Sequence, residues 1–389
     1  MSYNPRLHRI LLLLLAGAAI LWSQTDKLSF WDTQRRGANY FNAVHTQAYF
    51  RSAVEAGIHM VRLVPNKWRS RQRDFLIGNA DRFTAIDEAD YRRLDSVLSQ
   101  ADSTGIAIVL STLSLPGARW RQQNGDEIDP RLWTDTGYVR QASAFWQDLA
   151  RRVRLHRSVA AYDILNEPVP ELATGYRASS GDPVAGWYAR VKRTPADLNA
   201  FNAQVTASIR EADPLTPVII ECGNWAAPFA IEYLQPLDDP RVLYSFHMYE
   251  PFEYTNWKQN QGEVRYPGML NARPIDSSAL AEIIRPVSEW QRRHGIPSTR
   301  IFVGEFGCNR RVPGAEHYLG DLIRIFNRNG WHWAFYSFRE DEWDGMDYEL
   351  GTAPLGPAYW KAVEEGRTPE KKRTDNLLWQ VLRRGLAGN

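Results

Sequence analysis

Val159-Ala160-Ala161-Tyr162-Asp163-Ile164-Leu165-Asn166-Glu167-Pro168 is the stretch on which the reading of the fold turns. From Val159 to Leu165 both sides of the pleat are largely apolar, which marks a parallel strand covered by helices rather than a half-exposed antiparallel one. The run then stops on Asn166, Glu167 and Pro168, and a proline cannot continue the ladder. Neighbouring strand residues face opposite sides, so Asn166 and Glu167 share one cleft only where the strand ends or bulges. An ionised glutamate directly after an apolar run is costly to bury without a partner. The end of this strand is therefore both a boundary and a candidate site.

The same pattern recurs in both directions along the chain. Apolar runs occur at Gly37 to Phe41, Met60 to Val64, Ile106 to Leu110, Val159 to Leu165, Val218 to Ile220, Val242 to Phe246, Ile301 to Gly304 and Trp333 to Tyr336. Stretches of helical period separate them, such as Tyr91, Leu94, Val97, Leu98 and Ala101, or Leu198, Phe201, Val205 and Ile209. Asp87 is placed to cap the first of these helices and Gly105 to end it. Pro286, inside the stripe Leu280, Ile283, Ile284 and Val287, is expected to kink or divide its helix. Eight strand and helix units without a Pro/Gly-rich linker predict α/β architecture with one closed (β/α)8 TIM barrel. Polar insertions at 66–86, 114–135, 168–196, 249–276 and 339–356 each follow a strand, on the face where such barrels build their sites. The barrel is expected over residues 26–370. Residues 371–389 read as a basic amphipathic tail or helix, docked on the barrel or lying on a membrane surface.

Composition narrows the class of function. With 47 Lys plus Arg against 45 Asp plus Glu over 389 residues, the net charge of +2 predicts no nucleic-acid partner. Hydrophobic residues at 44% and charged ones at 24% exclude wholesale disorder and a multi-span membrane protein. Aromatics are the one excess, with 15 Trp, 17 Tyr and 15 Phe; rings not used in the core are natural platforms for the C–H faces of sugars. Cys222 and Cys308 are the only cysteines and read as buried thiols rather than a disulfide framework.

The N-terminus has its own signature. Arg6, His8 and Arg9 precede the apolar run Ile10 to Leu21, which is shorter than the roughly 17 residues of a membrane span. Residues 1–25 read as a signal peptide or, because the cleavage site is poorly defined, as an N-terminal inner-membrane anchor. Either leaves the body of the protein exported, periplasmic or secreted, with the positive flank inside.

A second glutamate resembles the first in its setting. Glu305 closes Ile301-Phe302-Val303-Gly304-Glu305-Phe306-Gly307, with glycines on either side that allow close approach. Arg62, in Met60-Val61-Arg62-Leu63, is suited to hold a neighbouring carboxylate ionised. His247 and Tyr249, at the end of Ser245-Phe246-His247-Met248-Tyr249, have the spacing that puts both on one side. Taken singly, each of these residues reads as well as a structural ion pair or a hydrogen-bonded core group. Together, on several strand ends, they read as a site.

Asn166-Glu167-Pro168, His247-Met248-Tyr249, Gly304-Glu305-Phe306-Gly307 and Arg36-Gly37-Ala38-Asn39 resemble the corresponding segments of glycoside hydrolase family 5, the cellulase-like family of the clan of (β/α)8 retaining glycosidases. The resemblance runs from residue 36 to about 365. It implies an endo-β-glucanase or cellulase-like enzyme acting on a β-linked glucan or related hexose polysaccharide. Glu167 would be the acid/base and Glu305 the nucleophile. Asn166 would bind the sugar 2-OH, Tyr249 would orient Glu305, and His247 would contact the acid/base or the substrate. Arg62 and Tyr249 would lower the pKa of Glu305, and a negative partner would raise that of Glu167.

Two segments depart from the family. Relatives often carry His-His where this chain has Leu113-Ser114-Leu115-Pro116-Gly117, and a Trp, often followed by a cis peptide, where it has Phe335-Tyr336-Ser337-Phe338. Tyr336 is therefore expected to supply the sugar platform. Of the loop tryptophans Trp68, Trp120, Trp133, Trp187, Trp225 and Trp257, a third to a half are expected to line the groove, Trp225 and Trp257 foremost because they closely follow strands. No metal or cofactor is expected, since no HExxH, Cys/His cluster, Walker loop or GxGxxG is present. The protein is expected to act as a monomer. Two further readings stay open: a transglycosylase remodelling a bacterial exopolysaccharide, and a non-catalytic polysaccharide-binding or secretion factor on the same scaffold.

Overall fold

In the computed structural model, which describes residues 26–176 and 184–388, the apolar runs form β1 (Arg36–Tyr40), β2 (Met60–Leu63), β3 (Ala107–Ser111), β4 (Val159–Asp163), β5 (Val218–Glu221), β6 (Val242–Met248), β7 (Ile301–Phe306) and β8 (His332–Phe335). Each pairs in parallel with the next, and β8 pairs with β1 to close the barrel. The expected (β/α)8 barrel is thus the architecture found. The signal peptide or anchor read at residues 1–25 lies outside the described residues, as does 177–183 within the insertion after β4.

Side-chain alternation divides the barrel interior into two layers. Met60, Val109, Ala161, Ile219, Leu243, Phe302 and Ala334 point inward and make an apolar floor around Trp31. Their neighbours Val61, Leu110, Tyr162, Ile220 and Tyr244 point outward into the core shared with the helices. Because the period is two, the next inward positions are Arg62, Ser111, Asp163, Glu221 and Ser245, and all five are buried. Polar side chains are thereby stacked above the floor, toward the C-terminal ends of the strands. Trp31 comes from the short turn Ser29–Asp32 and seals the lower end, its Nε1 donating to the carbonyl of Ala160 at 3.1 Å.

Strand boundaries differ from the sequence reading in ways that matter for the site. β4 stops at Asp163, so Asn166 and Glu167 lie past its end, and Glu167 takes a left-handed backbone with φ of 50°. β6 runs on to Met248 and β7 to Phe306, which puts His247 and Glu305 inside the ladder. The register between those two strands slips, Phe246 opposing Val303 but His247 opposing Glu305, so that Gly304 is the extra residue of a bulge. A Cβ on Gly304 would sit 2.7 Å from Ser245 Oγ and 2.9 Å from His247 Nε2, so only glycine fits.

Asp87 caps the helix Glu88–Thr104 and left-handed Gly105 ends it, as expected. Pro286 does not divide its helix, which runs from Ser277 to Arg293. Leu280 and Ile284 before it and Val287 and Trp290 after it are buried, and the carbonyl it frees belongs to exposed Glu282, where water can satisfy it. Near the C-terminus, the helix Leu377–Ala387 buries Leu378, Leu382 and Leu386, and Trp379 stacks on Phe338 at 5.8 Å between ring centroids. Cys222 and Cys308 are buried free thiols. No helix among the described residues is long and apolar enough to cross a membrane.

Removing the floor tests this account. Trp31→Ala should lower the unfolding free energy by about 3–5 kcal/mol through the cavity it leaves. Chemical denaturation of the two proteins measures the difference, and a loss under about 1 kcal/mol would show that Trp31 is not a structural plug.

Candidate active site

The polar layer is organised around one guanidinium. Arg62 is fully buried, and its Nη1 donates to Glu305 Oε1 at 2.7 Å and to Asn39 Oδ1 at 3.1 Å. Its Nε donates to Asp163 Oδ2 at 2.7 Å. Its Nη2 faces Glu221 Oε1 at 2.9 Å, Asn166 Oδ1 at 2.9 Å and Ser111 Oγ at 3.1 Å. Six residues from five strands and their ends are thus oriented by one planar fork, a role the flexible point charge of a lysine would not fill.

Glu305 accepts from Arg62 on one oxygen and from the Tyr249 hydroxyl, at 2.7 Å, on the other. Glu167 is half-buried at the mouth, with Oε1 3.1 Å from His247 Nδ1. The other ring nitrogen of His247 lies 3.1 Å from Glu221 Oε1. One oxygen of Glu167, one of Glu305 and a nitrogen of His247 all lie within 4.8 Å of one another. Arg62, Asn166, Glu167, His247, Tyr249 and Glu305, predicted from separate segments, are therefore brought to one spot.

The electrostatics differ in part from expectation. Burial pushes the Glu305 carboxyl up to about 7, against the pull of His247 and Arg62, and the charge of Glu167 adds to the rise. Tyr249 and Arg62 do act downward, as expected, but desolvation outweighs them. Burial likewise raises Asp163 to about 6 in spite of Arg62. For His247 burial disfavours the cation, yet Glu221 and Glu305 hold it well above the ordinary imidazole value. Glu167, His247 and Glu305 also form the one donor set among the described residues with the spacing for a metal ion. Both Glu305 oxygens already accept from Arg62 and Tyr249, however, and the Arg62 cation opposes a second positive charge there.

The chain matches the family described as cellulase, glycosyl hydrolase family 5, over residues 22–342. It belongs to that family. Endoglucanase C of Acetivibrio thermocellus is 22% identical over 372 residues, covering 87% of this chain and 92% of that protein. Two solved structures share the fold. Thermotoga maritima Cel5A, solved with cellobiose, has a TM-score of 0.64 at 20% identity, covering 92% of this chain and all of that one. The cellulose synthase subunit Z of Clostridioides difficile has a TM-score of 0.63 at 17% identity, covering 90% and 99%.

In this family 5 chain two cavities meet at Glu167. The larger, about 740 Å³, is lined by Tyr249, Trp257, Arg311, Tyr336 and Trp343. The other is lined by Leu113, Trp120, Trp133, Asn166 and Trp225. Trp225 and Trp257 both reach the groove, as expected, while Trp68 and Trp187 are buried and pin loops down through Nε1 bonds to the Asn42 carbonyl and Thr174. Trp225 is presented by three successive left-handed residues, Asn224, Trp225 and Ala226. Glu171, fully buried, braces that turn by accepting from the Asn224 N–H and the Tyr188 hydroxyl.

Tyr336 lines the larger cavity, edge-on to Phe41 and followed by a cis peptide. Where relatives carry His-His, Leu115 is buried and Ser114 Oγ accepts from the Trp120 N–H at 2.9 Å. That turn therefore packs a loop rather than offering imidazoles to a sugar. Asn39 and Asp163, quoted above only as parts of their segments, and Ser111, Glu171, Glu221 and Trp343 were not singled out as site residues from the sequence. An acidic residue of inward parity within an apolar strand was the available signal for Asp163 and Glu221.

Activity that depends on an ionised Glu305 carboxylate should fall about tenfold in kcat/KM per pH unit below about 7. Tyr249→Phe removes a donor to the carboxylate and should move this limb to higher pH. A pH–rate profile on a soluble β-glucan reads both effects, and a Tyr249→Phe limb at the wild-type position contradicts the arrangement.

Proposed function

We propose that this family 5 protein is a retaining endo-β-glucanase, hydrolysing a β-linked glucan or related hexose polysaccharide by double displacement. The separation of the two carboxylates carries the proposal. Oxygens of Glu167 and Glu305 lie within 4.8 Å. Retaining enzymes need about 5–5.5 Å between the carboxyls, whereas inverting ones leave about 6.5–9.5 Å for a water.

In the first step the Glu305 carboxylate attacks the anomeric carbon while Glu167 gives its proton to the departing glycosidic oxygen. The bond to that oxygen breaks, and an ester between Glu305 and the sugar forms. In the second step Glu167, now a carboxylate, takes a proton from water as the water oxygen attacks the same carbon and Glu305 leaves. Two inversions restore the β configuration. Arg62 and Tyr249 hold both oxygens of Glu305, which fixes the attacking lone pair. Asn166, whose Oδ1 accepts from Arg62, is assigned the sugar 2-OH, toward which its amide N–H2 would donate. The aromatic groove on both sides of Glu167 and the endoglucanase relatives support a polymeric substrate.

Glu305→Ala should abolish turnover of every substrate. Glu167→Ala should spare aryl glycosides with very good leaving groups and be rescued by azide, giving the β-glycosyl azide. Proton NMR of the first product should show the β-anomer, and initial α-product would defeat the retaining mechanism.

The activity is proposed to be exported, by virtue of the basic flank and apolar run in residues 1–25. Cell fractionation of the full chain, with N-terminal sequencing, should find it outside the cytoplasm, either cleaved or membrane-bound. A soluble cytoplasmic protein with an intact N-terminus would refute this.

A further inference from the structure

Glu221, the last residue of β5, is a fourth carboxylate of the site and has no part in the two displacement steps. It is 2% exposed. Its Oε1 accepts from Arg62 Nη2 at 2.9 Å and faces His247 Nε2 at 3.1 Å. Its Oε2 accepts from the backbone N–H of Glu167 at 2.6 Å. That last bond falls on a residue in a left-handed conformation, which is unfavourable for a side-chain-bearing residue and persists only where its surroundings hold it.

Two routes therefore lead from Glu221 to Glu167. One runs through the backbone and sets where the Glu167 side chain starts. The other runs through the imidazole. A carboxylate at Nε2 requires that nitrogen to carry hydrogen, which turns Nδ1 toward Glu167 Oε1 at 3.1 Å. The remaining groups around the ring are Glu305 on β7, 3.9 Å from Nδ1, Glu250 in the turn after β6, and Arg62 on β2, reached through Glu221 itself.

We propose that Glu221 is the positioning residue of the acid/base, holding the Glu167 backbone through its N–H and the His247 ring through Nε2, so that Glu167 Oε1 is aimed at the departing oxygen. The proposal rests on the reading of Glu167 as acid/base. As Glu167 alternates between acid and carboxylate, the Glu221 charge lets His247 keep its Nε2 proton throughout. The same geometry explains why β7 carries Gly304, since any larger residue would push the ring off Glu221.

The near-isosteric Glu221→Gln variant tests the idea. On a soluble β-glucan kcat should fall about 10–100-fold with KM changed less than about twofold, the signature of a misplaced group rather than lost binding. An aryl glycoside whose leaving group needs no proton should lose far less in the glycosylation step. The acid limb set by Glu305 should move upward, because a neutral residue at 221 lets His247 lose the proton whose charge stabilises the Glu305 carboxylate.

Imidazole NMR of His247 provides a readout that needs no substrate. In the wild type both ring nitrogens should be protonated at pH 7, and in Glu221→Gln the ring should titrate at lower pH. Equal losses on both substrates with an unchanged profile, or a wild-type His247 lacking the Nε2 proton at pH 7, would overturn the proposal. A wild type that cleaves neither substrate would refute the proposed function, while the imidazole titration would still decide whether Glu221 holds His247.

Discussion

The guanidinium of Arg62 is the interaction on which the rest of the site depends. It is buried among Asp163, Glu221 and Glu305, each within 2.9 Å, and every one of these carboxylates would be costly to ionise there without it. One cation against three acids leaves the cluster short of positive charge. Burial raises the carboxyls of Asp163 and Glu305 by more than Arg62 lowers them, and the surrounding acids Glu221 and Glu305 hold a proton on His247. A Glu305 carboxyl that titrates close to neutrality beside a charged imidazole is thus a property of the cluster, not of any one residue.

That cluster can exist because of the apolar floor below it. Trp31 and the inward residues of the lower layer close the barrel to water from beneath, so the polar layer is solvated only from the mouth. In this drier setting hydrogen bonds and charge pairs are stronger, and unpaired groups more costly, than on the surface. Charge arranged there in advance needs little reorganisation when the reaction moves it. The glycine at 304 belongs to the same economy of space: the bulge turns Glu305 inward, and the missing side chain admits the His247 ring.

Around this centre the groove is lined largely by aromatic rings. A tyrosine followed by a cis peptide stands just past β8, and a packed Leu-Ser-Leu turn follows β3. Trp120, Trp133, Trp225, Trp257 and Trp343 surround the same opening, with Trp225 held out by a buried glutamate behind a left-handed turn.

The sequence alone determined the barrel, because strands buried on both sides must be apolar on both sides, and that pattern survives without knowledge of any partner. It also determined Glu167, Glu305, Arg62, His247 and Tyr249 as a group, since charged or polar residues at the ends of apolar runs stand out locally. Asp163 and Glu221 were visible in the sequence only as acids within or beside apolar runs, and their place beside Arg62 acquires meaning only when eight strands close and point one set of side chains at a common axis. The continuity of the helix through Pro286, and the sorting of loop tryptophans into groove and core, depended on what packs against them. The state of Glu305 also belonged to the tertiary structure: Arg62 and Tyr249 pull it in the direction the sequence implied, but the depth of burial, which no linear pattern records, outweighs them.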